Sequence, residues 1–239
     1  MFDSKWRRYS FSAQKTQRHR VRWIALWIAG IFILYTLLTS LVFHVCVLEN
    51  ETMQPGLLKG DRFIFSSSGI YGFIPGSDLG SFLKRSNIVL IDKSSGKDKG
   101  FLIVADSVLR FITAQRVSIY PAENSLFIKR LIGLPGDEIS MTNFVIRVRP
   151  KGERYTFTEF ELWERPYESL IPPAPALWDE SLPFSGNMDA IVLGENEYFV
   201  LSDDRSNTND SRTWGPVPLS LISGKAMFRF WPFTRAGIP

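Results

Sequence analysis

Two residues far apart in the chain have the types needed for a nucleophile and its base. Thr52 stands in Asn50-Glu51-Thr52-Met53-Gln54-Pro55, where a proline restricts its neighbour and sets a local turn. Lys129 stands in Phe127-Ile128-Lys129-Arg130-Leu131-Ile132, an apolar run of strand type. A lysine among Ile128, Leu131 and Ile132 loses hydration, and burial lowers an ammonium's pKa toward neutrality. An amine that is neutral near working pH can take the proton of a hydroxyl, so this pair could run acyl transfer without a histidine. Taken singly, each stretch has a plainer account: a turn before a strand, and a solvated basic pair on a strand. The two residues are 77 positions apart, so only the fold can join them.

A third stretch, Ser202-Asp203-Asp204-Arg205-Ser206-Asn207-Thr208-Asn209-Asp210-Ser211-Arg212, follows a strand-like run and is densely polar. Its Asx side chains suit a self-capped turn, and Asp210 with Arg212 can form an ion pair that orders it. The two histidines, His19 and His44, lie before the main domain, so neither is expected in a triad there. Cys46 is the single cysteine, which excludes an intramolecular disulfide. The sequence holds no metal-ligand cluster and no phosphate-binding glycine loop, so no metal and no cofactor are expected.

These residues need elements to position them. Trp23 to Phe43 is an uncharged, mostly apolar run of 21 residues. As a helix it would span about 30 Å, the thickness of a bilayer core. The expected organisation is a basic cytoplasmic tail over 1–22, a transmembrane signal anchor over 23–47 and an extracytoplasmic β-rich domain over 48–239. A cleaved signal peptide would have a shorter apolar core and a clearer small-x-small site than Thr39-Ser40-Leu41. The tail holds seven Lys/Arg against Asp3, which puts the N-terminus in the cytoplasm and the main domain on the outer face. Without the tail the charge balance is −2, so the basic pI is no nucleic-acid footprint.

Beyond the anchor, runs at 62–65, 87–91, 125–132, 144–148, 190–193, 198–201 and 226–231 read as strands between Gly, Pro, Asn and Asp turns. Residues 108–117 could be a short helix, and 66–80 and the proline-rich 165–187 read as loops. The fold expected is mainly β, an antiparallel sheet domain after one N-terminal transmembrane helix.

Together the three stretches resemble the type I signal peptidases, membrane-bound proteases of the Ser–Lys dyad class. Thr52-Met53-Gln54-Pro55 matches the family's Ser-Met-x-Pro at three of four positions, and Lys129 through Asp137 matches Lys-Arg-x-x-Gly-x-Pro-Gly-Asp throughout. The family's third box, Gly-Asp-Asn-Arg-x-x-Ser-x-Asp-Ser-Arg, appears here as Ser202 through Arg212 with five of its eight specified residues kept, and Gly60-Asp61 matches a weaker pair. The likeness covers roughly 20–139 and 195–233, leaving 140–194 as a variable insertion. Thr52 and Thr208 replace serines, Ser202 a glycine and Asp204 an asparagine. Both threonines keep a hydroxyl, which suits retained chemistry.

The resemblance implies Thr52 as nucleophile and Lys129 as general base, with Thr208 orienting the lysine. It implies an oxyanion hole from the Thr52 N–H and Asn50, with Met53 lining the substrate groove. Asp203, Asp210 and Arg212 would hold the lysine strand to the third stretch. The implied substrates are exported preproteins cut after small residues, Ala-x-Ala-like, at a membrane surface. The alternative is a non-catalytic relative that binds exported chains.

Overall fold

Short β-branched and aromatic runs between turn residues fold here as antiparallel strands. The protein is described from a computed structural model, over residues 11–37, 43–67, 79–93, 109, 126–162, 166–172 and 186–239. It divides into two units, Met1–Thr39 with Gly100–Ile119, and Ser40–Lys99 with Tyr120–Pro239. Most of the helix expected at 108–117 lies outside the described residues, as do parts of the loops at 66–80 and 165–187.

In the first unit, helix α1 covers Phe11–Leu37. It runs unbroken from Phe11 in the basic segment to Leu37 in the apolar run, and Trp23, Leu26, Trp27 and Leu34 on it are all exposed. Among the described residues no helix is long and apolar enough to cross a membrane. The expected anchor over 23–47 also ends too late. Phe43–Val47 is strand β1, paired antiparallel with β2 (Arg62–Ser67) from Phe43 opposite Ser66 to Val47 opposite Arg62. Val45 and Val47 are β-branched, and a sheet edge suits them better than another turn of helix.

Among the described residues the second unit holds nine further strands: β3 Ile88–Asp92, β4 Leu126–Gly133, β5 Glu138–Thr142, β6 Val145–Arg149, β7 Phe157–Thr158, β8 Met188–Val192, β9 Glu197–Leu201, β10 Val217–Pro218 and β11 Ile222–Trp231. Two short α-helices, α2 Leu79–Phe82 and α3 Ser211–Trp214, and two 3-10 turns, Leu219–Leu221 and Phe233–Arg235, accompany them among the described residues. One sheet runs β1-β2-β11-β3-β4-β9-β10 and the other β7-β6-β5-β8. The domain is mainly antiparallel β, as expected. Strands β1, β5, β7 and β10 were not expected. In β5 the apolar Ile139 and Met141 alternate with polar residues, and in β10 a proline obscures the signal.

Strand periodicity decides which side chains meet. In β3, Ile88 and Leu90 join the cluster of Leu48, Met53, Phe63 and Phe65, while Val89 and Ile91 join that of Leu131, Tyr198 and Val200. A third cluster, with Ile139, Ile146, Val148 and Phe199, serves the smaller sheet. Strand β4 contributes to all three, through Leu131, Ile128 and Ile132 respectively. It lies between β3 and β9, and that central place is what buries Lys129.

Candidate active site

Lys129 lies directly opposite Val89, so it shares the face of Phe127 and Leu131. The residue is 1% exposed. Its Nζ donates to Ser202 Oγ at 2.7 Å and lies 5.8 Å from the centroid of the Trp214 ring. Its pKa is lowered to about 8, chiefly by burial; Asp210 opposes the shift, Arg212 adds to it, Asp203 opposes it and Lys93 adds to it. About half of the amine is therefore neutral near pH 8.

The third stretch is built around that lysine. Arg130, the next residue in β4, donates from Nε and Nη2 to the two carboxylate oxygens of Asp203, at 2.7 and 2.5 Å, and from Nη1 to the carbonyl of Ser86. Both partners are buried, so this bidentate pair clamps the β4 strand to the segment after β9. Asp210 accepts from the Ser202 N–H at 3.0 Å and caps α3 by accepting from the Arg212 N–H. Arg212 also pairs with Asp210 through its side chain and donates to the carbonyls of Arg205 and Asn207. Asp210 thus fixes the backbone of the residue that holds the lysine. Desolvation would raise its pKa, but the bonds from Arg212 and Ser202 outweigh that and lower it.

Thr52 sits on a turn closed by bonds from the Gln54 N–H to the Glu51 carbonyl and from the Leu57 N–H to the Met53 carbonyl. Its own carbonyl accepts from the Asp204 N–H at 3.1 Å. Thr52 and Lys129 are therefore tied to the same three-residue segment, the threonine at Asp204 and the lysine at Ser202. Among the hydrogen bonds of the described residues, none joins Thr52 to Lys129; the lysine's goes to Ser202. Asn50 is exposed two residues before Thr52.

Two expected roles change. Met53 is 0% exposed and packs among Leu48, Leu57 and Phe63, so it supports the turn from beneath and lines no open groove. Its unbranched, apolar side chain suits that core position. The hydroxyl that bonds the lysine belongs to Ser202, while the Thr208 carbonyl accepts from Thr213 Oγ1. A side chain at position 202, where the resemblance has glycine, reaches Lys129 directly. That departure was the one signal in the sequence that could have pointed to Ser202.

No motif pointed to a second polar cluster, which reaches the site from the insertion. Arg205 is 0% exposed and pairs with buried Glu159 at 2.6 Å, and Tyr167 Oη donates to the same carboxylate oxygen at 2.7 Å. The Tyr167 ring in turn carries the Arg130 guanidinium 3.9 Å from its centroid. Glu159 and Tyr167 therefore support Arg205 and Arg130, two of the three arginines in the motif stretches. Asp137, which ends the lysine stretch, is also buried; it accepts from the Leu134 N–H and from Arg85 Nη2. Among the described residues no group of His, Cys, Asp or Glu is placed to hold a metal.

Residues 20–231 match the family model described as signal peptidase, peptidase S26. The chain belongs to this family. Signal peptidase IB of Staphylococcus aureus is 24% identical over 219 residues, covering 92% of this chain and 93% of that protein. A probable signal peptidase I-2 of Synechocystis sp. is 29% identical over 174 residues, 70% of this chain and 65% of that protein. In this member of the signal peptidase family the matched span takes in the Thr52 turn, β4 with Lys129 and the segment from Ser202 to Arg212.

Proposed function

We propose that this protein is a membrane-bound endopeptidase that removes signal peptides from exported preproteins, with Thr52 as nucleophile and Lys129 as general base. The observation that carries this reading is a buried lysine of pKa about 8, bonded to Ser202 two residues from the Asp204 N–H that holds the Thr52 carbonyl. The neutral amine takes the Thr52 Oγ proton as oxygen attacks the scissile carbonyl. The Thr52 N–H and the Asn50 amide receive the oxyanion, and one such donor is worth roughly 3–4 kcal/mol. Lysine then passes the proton to the leaving amine as the C–N bond breaks. Water hydrolyses the resulting ester and frees the threonine.

Catalytic hydrogen bonds in free enzymes are often long and tighten once substrate binds. On this reading the Lys129 amine turns from Ser202 toward Thr52 in the complex. The threonine methyl narrows χ1 but leaves the hydroxyl chemistry intact. Substrates bind as an extended strand with small residues at the first and third positions before the cut, Ala-x-Ala-like. The exposed apolar side chains of α1 support a single-pass anchor in the cytoplasmic membrane, with the β domain on the outer face. No cofactor and no metal enter the scheme.

One observation favours a second reading, a non-catalytic protein that binds exported chains: the lysine's bond goes to Ser202 and not to Thr52. Cleavage of a purified Ala-x-Ala preprotein in detergent separates the two. The proposal expects cutting by the wild type and Thr52→Ser, and near-complete loss in Thr52→Ala and Lys129→Ala. Cutting by Thr52→Ser alone would establish a disarmed site, and undiminished cutting by Thr52→Ala would remove the dyad.

A further inference from the structure

The insertion does more than brace the site from behind. Residues 166–172 lie between the Thr52 turn and the third stretch. Ser169 pairs antiparallel with Pro55, and Leu170 pairs in parallel with Asp204, whose N–H holds the Thr52 carbonyl. The Leu170 N–H donates to the Asp203 carbonyl at 2.9 Å, and the Leu170 carbonyl accepts from the Arg205 N–H at 2.8 Å. Tyr167, three residues earlier, is pinned to Glu159 and stacked on Arg130. The backbone at Leu170 is thus held on both of its hydrogen-bonding groups, yet its side chain is 49% exposed. A rigidly held aliphatic side chain left in solvent beside a peptide site has the features of a subsite wall.

The chemistry says which part of a substrate would meet it. The base that takes the hydroxyl proton returns it to the leaving amine, so that amine must come within hydrogen-bond reach of Lys129 Nζ. Lys129 Nζ is bonded to Ser202 in the free protein and reaches Thr52 by turning from it, so a departing amine within its reach leaves on the side of Thr52 nearest residues 202–205. Leu170 borders that side through Asp203, Asp204 and Arg205. The geometry points to Leu170 as a specificity-determining residue for the first residue after the cut, the N-terminus of the mature chain. This rests on the peptidase reading for its direction, but the contact itself needs only that the chain binds across Thr52.

The test uses three peptides with the same Ala-x-Ala site and Leu, Lys or Glu directly after the cut, on the full chain in detergent. Leu170 is exposed, so Leu170→Lys and Leu170→Glu are expected to fold, which a urea transition checks. Leu170→Lys should shift kcat/KM toward the Glu peptide over the Lys peptide by roughly two- to fivefold, the weight of an exposed ion pair. Leu170→Glu should do the reverse, and a change of the residue before the cut should respond alike in all three proteins. An equal effect on all three peptides, or none, would overturn the assignment. The same preference is read as Kd in a Thr52→Ala background. If the wild type does not cut, the catalytic reading fails while the Kd values still decide for or against Leu170. If no peptide binds, both fall.

Discussion

Lys129→Met should leave this protein at least as stable at neutral pH while abolishing cleavage. The lysine is buried, and its pKa falls from 10.5 to about 8. A group that binds a proton more weakly when folded destabilises the fold wherever it must still be charged. The unfolded chain carries more protons between the two pKa values, so wild-type stability rises with pH from about 8 to about 10.5. The penalty is fully present below pH 8 and gone above 10.5. At about 1.4 kcal/mol per unit it amounts to about 3 kcal/mol. Methionine has similar length and no charge, so it removes the penalty. It also removes the bond to Ser202, worth about 1–3 kcal/mol for a charged donor. The net expectation at pH 7 is a gain of about 0–2 kcal/mol, read as an equal or higher urea midpoint with an unchanged slope. The advantage should shrink at pH 10, where wild type no longer bears the charge. A Lys129→Met protein clearly less stable than wild type at pH 7, or an advantage independent of pH, would refute the claim that the buried ammonium is held at a cost. Cleavage by wild type should rise about tenfold per unit of pH below 8 and level off above it, as the neutral base requires.

Removing the hydroxyl in Ser202→Ala leaves the Lys129 ammonium without the bond it makes in the structure. Cleavage should drop roughly tenfold or more, and the midpoint of the pH–rate curve should move to lower pH, since the lost bond favoured the charged form. An unmoved midpoint would mean the bond is incidental. Glu159→Ala should cost about 3–5 kcal/mol, because it strands the wholly buried Arg205 guanidinium. Replacing both by Leu and Met should recover most of that stability, and urea unfolding of the single and double variants checks it.

Much of the site was legible in the chain order because its parts are local. Lys129 announces itself as a charge inside an apolar strand, and burial in β4 follows from that composition. Asp210 with Arg212 pairs two residues apart, so the ion pair needs no tertiary knowledge. Asp203 was expected to hold the lysine strand to the third stretch, but its partner Arg130 was not; their bidentate geometry depends on β4 and β9 lying side by side. Met53 misled because an apolar residue beside a nucleophile suits a groove as well as a core, and only packing against Leu48 and Leu57 decides. The anchor boundary misled for a related reason: Phe43–Val47 is as apolar as the run before it, and its fate depends on whether β2 offers an edge.

Chain order was enough for the reactive types, a hydroxyl at a turn and an amine in a strand, together with the mainly β character of the domain that holds them. These are properties of neighbours within a few residues, where side-chain volume and backbone preference act directly. Tertiary structure alone decided that Ser202 and not Thr208 meets the lysine, that Glu159 and Tyr167 reach across from the insertion, and that Leu170 is left exposed beside the Thr52 turn. Apart from Tyr167 with Glu159, eight positions apart, those contacts join residues from more than 30 to more than 100 positions apart. Which of several chemically suitable partners comes within 3 Å is set by how the strands pair and twist, and no single stretch of the chain encodes that.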